Sequence, residues 1–212
     1  MVEKICNNLT NKIRVKMPEV DDQRAEVINY GLQLIIGELP KFIIMIILAL
    51  ILNIFKLTIL SILFILPYKM VSGGVHLKTH IGCIISTNLF YVGNAFLSKS
   101  IIIEPLFMKY LIIFAVWVFG IIMCKLYAPA DTEAVPILRK KERKIKKVLS
   151  YIILTITLVI AVFIKDSTIS NLLIFGSLFQ TITITRFIYK ITNNKFGYEE
   201  YIKNKVLNNV KA

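Results

Sequence analysis

The chain is short of charge, of acidic residues and of cysteine. Only 18% of its 212 residues are charged, against about 25% in a typical globular chain. The 13 Asp and Glu face 26 Lys and Arg, for a formal charge of +13. Cysteine occurs at Cys6, Cys83 and Cys124, too few for a disulfide-built secreted domain. The two histidines, His76 and His80, with one cysteine nearby, make an incomplete ligand set for zinc, so neither metal nor cofactor is expected. No Gly-rich loop ending in Lys-Ser/Thr marks a nucleotide site. There is no internal repeat, no Gly/Ser linker and no apparent removable signal peptide.

Apolar residues are what the chain has in quantity. They make up 56%, above the roughly 45–50% of globular chains, and mean hydropathy is +0.69. That content excludes disorder and predicts an all-α, polytopic membrane bundle. In such a chain the positive charge reads as topology and attraction to anionic headgroups, and nucleic acid is not an expected partner.

After the break at Met17-Pro18, the residues Ala25, Val27, Ile28, Leu32, Ile35 and Ile36 recur at helical spacing, predicting an amphipathic helix that lies on the membrane or on the rest of the protein. Apolar segments follow at 42–55, 57–67, 73–97, 110–124 (starting nearer Pro105), 148–164 and 168–185. The first two are short for spans, which need about 20 residues, and form either a thin hairpin or one bent span. Lys and Arg cluster before Lys41, between Lys125 and Lys147, and from Arg186 onward. The positive-inside rule puts all three in the cytoplasm. Parity then requires the hairpin and gives about six crossings with both ends inside. One membrane domain over 1–212 is expected: an amphipathic segment at 1–41, a bundle at 42–185 and a cytoplasmic tail at 186–212.

Polar residues within a span mark function, and the third segment gathers Ser72-Gly73-Gly74-Val75-His76-Leu77-Lys78-Thr79-His80-Ile81-Gly82-Cys83, then Asn88 and Asn94. An imidazole can take the proton of a thiol, and a helix amino end favours a thiolate. Gly73 and Gly74 suit a turn into such a helix and offer N–H groups to an oxyanion. The plainer alternatives are an inert buried cysteine and a satisfied polar histidine. On a straight helix His76 and Cys83 sit about 10 Å apart, so spacing favours His80 as base. His76 serves only if its segment bends. A different class of function, a small transporter or pore, would use His76, Lys78, His80, Asn88 and Asn94 to line a path. The ionisable residues stop by Cys83, which favours a site at one face.

Lys69, Ser72-Gly73-Gly74-Val75-His76 and Cys83 together resemble the motif of the accessory gene regulator B (AgrB) family of membrane cysteine peptidases of Gram-positive bacteria. Tyr30-Gly31-Leu32 and Ala128-Pro129-Ala130-Asp131-Thr132-Glu133 extend the resemblance over essentially the whole chain. It implies a protein of the cell membrane with Cys83 as nucleophile and His76 as base, overriding the spacing preference. Lys69, Ser72, Gly73 and Gly74 become candidates to support substrate or oxyanion. It also implies an AgrD-like propeptide as substrate, cut and closed into a thiolactone that serves quorum sensing, and a homodimer. An arginine is usual where Lys69 stands and a lysine where Val135 stands. Lys69 keeps the charge but loses the planar fork. Ser72, Gln33, Glu38, Asn88, Asn94 and Asp131 are all chemically able to orient the imidazole, and the sequence does not choose among them. Cys6 and Cys124 are expected to be unreactive.

Overall fold

A computed structural model describes residues 2–77, 79–133 and 135–211. Helices make up 80% of it: α1 (Val2–Lys16), α2 (Asp22–Ile51), α3 (Phe55–Ser72), α4 (His80–Ser100), α5 (Leu106–Tyr127), α6 (Lys140–Phe163), α7 (Ser167–Thr183), α8 (Arg186–Ile191) and α9 (Gly197–Lys211). The described residues contain no strand, only isolated bridges such as Gly73 to Ala130. Among the described residues five helices, α2 to α6, are long and apolar enough to cross a membrane. With 17 residues, α7 sits at the lower end of the spanning range. The expected membrane helical architecture is therefore observed.

Several boundaries differ from expectation. The amphipathic stretch and the first apolar run are one 30-residue helix, α2, which continues through Pro40. The chain breaks at Leu52–Ile54, where Asn53 takes φ 52°, so 42–67 holds two helices and not one bent helix. Pro67 does not end α3, which runs one turn further and carries Lys69 in its last turn. A proline removes one N–H and crowds the preceding turn, and neighbouring helices in a bundle absorb that loss. The third apolar run is not helical throughout: residues 73–77 and 79 are extended or bent, and α4 begins only at His80.

The chain divides into two compact units, 1–51 and 52–212. In the first, α1 packs on α2. Asn29 Nδ2 donates to Asn7 Oδ1 at 2.6 Å, and Arg14 pairs with Asp22 at 2.7 Å. The apolar positions Ile5, Leu9 and Ile13 make α1 a second amphipathic helix, which the sequence reading did not separate from its polar surroundings.

In the second unit α7 is the central helix, packed against α3, α4, α5 and α6. Its buried residues include Ser170, Asn171, Ser177, Gln180 and Thr181 beside Leu172, Leu173 and Ile174. Large apolar side chains instead point outward, as at Leu89 (73% exposed) and Phe163 (79%). That inversion suits lipid outside and polar bonds inside. Asn94 Nδ2 donates to Ser61 Oγ at 3.0 Å and to the Leu172 carbonyl at 3.1 Å, joining α4 to α3 and α7. Asn171 Nδ2 donates to the Ile101 carbonyl at 2.8 Å. Each such bond in a bilayer contributes about 0.6–2 kcal/mol. Gly176 lets Ile65 approach, since a Cβ there would lie 2.4 Å from Ile65 Cδ1.

The expected tail at 186–212 is docked over its first part. Phe196 stacks on Tyr189 with ring centroids 4.1 Å apart, and the Tyr198 N–H donates to Asp131 Oδ2 at 3.1 Å. Burial, with Asp131 nearby, pushes the Tyr189 phenol upward, which keeps it a donor to the Asp131 carbonyl at 3.2 Å.

Candidate functional site

Three chain segments meet at one end of the second unit: the turn after α3, the connection after α5 and the end of α7. Gly73 has φ 76° and ψ −148°, a conformation largely reserved for glycine, and Gly74 has φ 137°. The Ala130 N–H donates to the Ser72 carbonyl at 2.8 Å, the Gly74 N–H to the Ala130 carbonyl at 2.9 Å, and the Val75 N–H to the Thr183 carbonyl at 3.3 Å. No side chain fits at Gly73, where a Cβ would stand 2.1 Å from the Ala130 oxygen. These bonds turn the chain sharply at the two glycines and lay 73–75 along the bundle end.

Thr79 then caps α4, its Oγ1 accepting from the Gly82 N–H at 3.1 Å. Cys83 falls in the first turn, its N–H donating to the Thr79 carbonyl at 2.9 Å. Because the segment before α4 folds back, His76 Nδ1 lies 3.8 Å from Cys83 Sγ. The separation of about 10 Å that a straight helix imposes is thus removed by the extended segment. The same Nδ1 is 3.4 Å from the Leu77 carbonyl. For Nδ1 to receive the thiol proton, the neutral ring must carry its proton on Nε2. Cys83 is 9% exposed and His76 is exposed, so the pair sits at the rim of the protein interior. Lys78 and the His80 side chain lie outside the described residues.

A family model described as accessory gene regulator B matches residues 3–184. The chain belongs to this family. Similar proteins include an AgrB-like protein of Listeria monocytogenes serotype 4a, 27% identical over 201 residues and 94% of both chains. An AgrB-like protein of Clostridium acetobutylicum is 27% identical over 179 residues, covering 82% of this chain and 81% of its own. AgrB-like protein 2 of Clostridium perfringens is 30% identical over 165 residues, 76% of both. No solved structure matches. Membership in AgrB gives the chain a role in the agr quorum-sensing system, a multi-pass membrane setting in Gram-positive bacteria, and an AgrD-type propeptide as partner.

Among the residues singled out in this AgrB chain, the two glycines direct their N–H groups to backbone carbonyls. The Gly73 N–H donates to the Lys69 carbonyl at 3.0 Å and that of Gly74 to Ala130, so both donors are committed. Lys69 places its Nζ 5.2 Å from the Phe90 ring centroid and 5.9 Å from that of Tyr91, so its charge rests on the aromatic face of α4. Ser72 is fully buried, and its Oγ accepts from Gln180 Nε2 at 2.9 Å.

The candidates for orienting the imidazole also serve the fold. Asn88 Nδ2 donates to the Ile84 carbonyl at 2.8 Å, and Asn94 bonds α3 and α7. Gln33 donates to Asn29 at 3.3 Å, and Glu38 pairs with Lys41. Asp131 Oδ2 accepts from the Ile137 N–H at 2.9 Å, from Arg143 Nη1 at 3.0 Å and from the Tyr198 N–H. That carboxylate holds the connection after α5 in shape, and Ala130 within it braces Gly73. Val135 is 70% exposed. No disulfide joins Cys6, Cys83 or Cys124, and Cys124 Sγ lies 3.2 Å from the Tyr68 hydroxyl. Gln180 is the residue that sequence reading missed. Nothing in an apolar stretch near residue 180 signals that its amide reaches Ser72 and the Gly73 carbonyl, 2.7 Å away.

Proposed function

We propose that this AgrB protein is a membrane cysteine endopeptidase that removes the carboxy-terminal tail of an AgrD-type propeptide and closes the remainder into a thiolactone. The observation that carries the proposal is the 3.8 Å approach of His76 Nδ1 to Cys83 Sγ at the amino end of α4. That distance is at the long end for a sulfur hydrogen bond, as catalytic pairs without substrate often are.

Cys83 Sγ attacks the scissile carbonyl while His76 Nδ1 takes the thiol proton. The C–N bond breaks as the imidazolium returns that proton to the leaving nitrogen. The tail departs with a free amino terminus, and a thioester to Cys83 remains. A cysteine thiol within the propeptide then attacks the thioester carbonyl. Its proton passes through the imidazole to Cys83, which is released as the thiol, and the new thioester closes the ring. With Gly73 and Gly74 committed, the positive end of the α4 dipole beside Cys83 favours the tetrahedral oxyanion. Water competes for the acyl group, and a site at the rim of a lipid-embedded bundle limits its access.

Ala130, within the connection that leads to the basic run Arg139–Lys147, is hydrogen-bonded to the turn beside His76. The site and this basic run therefore share one end of the second unit. The positive-inside rule assigns that end, and both termini, to the cytoplasm. The test is cleavage of a coexpressed cognate propeptide, read by mass spectrometry. Cys83→Ala and Cys83→Ser proteins are expected in the membrane at wild-type level with cleavage reduced by at least about 10³-fold, as for loss of a nucleophile. Wild-type cleavage by Cys83→Ala would refute the proposal.

A further inference from the structure

We infer that Gln180 is the residue that positions His76 toward Cys83, acting through the backbone of Gly73 and Gly74; the inference rests on the cysteine–histidine reading above. Gln180 lies near the end of α7, the helix at the centre of the second unit, and is fully buried. Its single amide nitrogen donates twice, to Ser72 Oγ at 2.9 Å and to the Gly73 carbonyl at 2.7 Å. Those acceptors lie on either side of the Gly73 Cα, where the chain leaves α3. The next residue is equally close, since a Cβ on Gly74 would lie 3.6 Å from Gln180 Nε2.

Position at this point matters because the two glycines have the widest backbone freedom of any residues. The Gly73 carbonyl belongs to the peptide plane that joins them. Fixing that plane sets the direction in which residues 74–76 leave, and His76 follows directly. A displacement there is carried to the imidazole, and about 1 Å of misplacement at a reacting group lowers a rate about 10²-fold.

Gln180 is also a poor choice for packing alone. A buried amide loses hydration and must recover it in hydrogen bonds. Here Gln180 Oε1 is buried without a hydrogen-bond partner, so part of that loss is not recovered. A leucine or methionine would fill the same volume without it. What the amide alone supplies is the pair of donors on the Ser72–Gly73 step.

The test reads the rate at which iodoacetamide alkylates each cysteine of the full chain in lipid vesicles at pH 7. Peptide mass spectrometry separates Cys83 from Cys6 and Cys124. An unassisted thiol is only a few per cent thiolate at this pH, so loss of the base is expected to slow Cys83 about tenfold. His76→Ala is expected to show that loss, and Gln180→Leu a similar one, with Cys6 and Cys124 unchanged. In the double variant Gln180→Leu is expected to add nothing, because the group it positions is gone. Gln180→Glu, which sets a carboxylate against the Gly73 carbonyl, provides the same comparison if the leucine variant fails to reach the membrane. A wild-type Cys83 rate in the Gln180 variants, additive losses in the double variant, or a parallel rise at Cys124 overturns the inference. A wild-type Cys83 rate in His76→Ala instead overturns the underlying reading, and the inference with it.

Discussion

Replacing Gly73 by alanine tests the turn that brings the pair together. The glycine has φ 76° and ψ −148°, which costs a residue with a side chain about 1–3 kcal/mol. An added Cβ would stand 2.1 Å from the Ala130 oxygen. Since backbone oxygens do not yield, Gly73 and Ala130 must separate by about 1 Å to restore van der Waals contact. That movement stretches the two bonds bracketing the contact, from Ala130 N–H to Ser72 and from Gly74 N–H to Ala130, each contributing about 1 kcal/mol. The combined cost is about 3–5 kcal/mol if the turn is held, so the turn is expected to relax and carry His76 with it. A shift of about 1 Å at the base lowers the rate about 10²-fold. Gly93→Ala is the control, because its nearest contact is a flexible leucine carbon at 3.6 Å. Both variants are compared by mass spectrometry of propeptide products at equal membrane levels. Gly93→Ala is expected to cleave like wild type. Wild-type cleavage by Gly73→Ala would show that the turn does not hold the site.

The remaining predictions follow from individual contacts. His76→Ala is expected to lose far more cleavage than His80→Ala, measured on the same propeptide; equal or reversed losses would move the base to His80. Thr79→Ala removes the cap of α4 and is expected to lower thermal stability by about 1 kcal/mol, with a modest loss of cleavage; no change in either would make the cap incidental. Asp131→Ala strands Arg143 and the N–H groups of Ile137 and Tyr198, and is expected to destabilise the protein by about 3–5 kcal/mol in thermal unfolding of the detergent-solubilised chain. A melting point equal to wild type would show that the carboxylate is not what holds that connection.

Most of the long helices were legible because each contains an apolar run bounded by charge or proline, although the first two runs fell short of spanning length. Their ends were less so. The apolar run ending at Pro67 read as a stop there, yet Pro67, like Pro40, lies inside a helix, since packing can compensate for a missing N–H. The Gly73-Gly74 pair was legible as a turn, and with it the condition under which His76 reaches Cys83. That the condition is met depends on partners distant in sequence, Ala130, Gln180 and Thr183, and no periodicity announces them. Asp131 stood among several residues able to orient an imidazole. Only the fold shows that it binds backbone and Arg143, drawing the start of α9 into the structure. The docked residues 189–198 escaped notice because Tyr189 and Phe196 are isolated aromatics in a polar stretch, without a helical repeat to mark a buried face.

The most direct test of acyl capture by Cys83 uses a propeptide whose internal cysteine is replaced by alanine. Without the second thiol, the amino-terminal fragment has no intramolecular acceptor. Peptide mass spectrometry is expected to find that fragment in thioester linkage on Cys83, or its linear hydrolysis product, and no ring. Ring formation from this propeptide, or a released tail with the acyl fragment attached to any residue other than Cys83, would contradict the account.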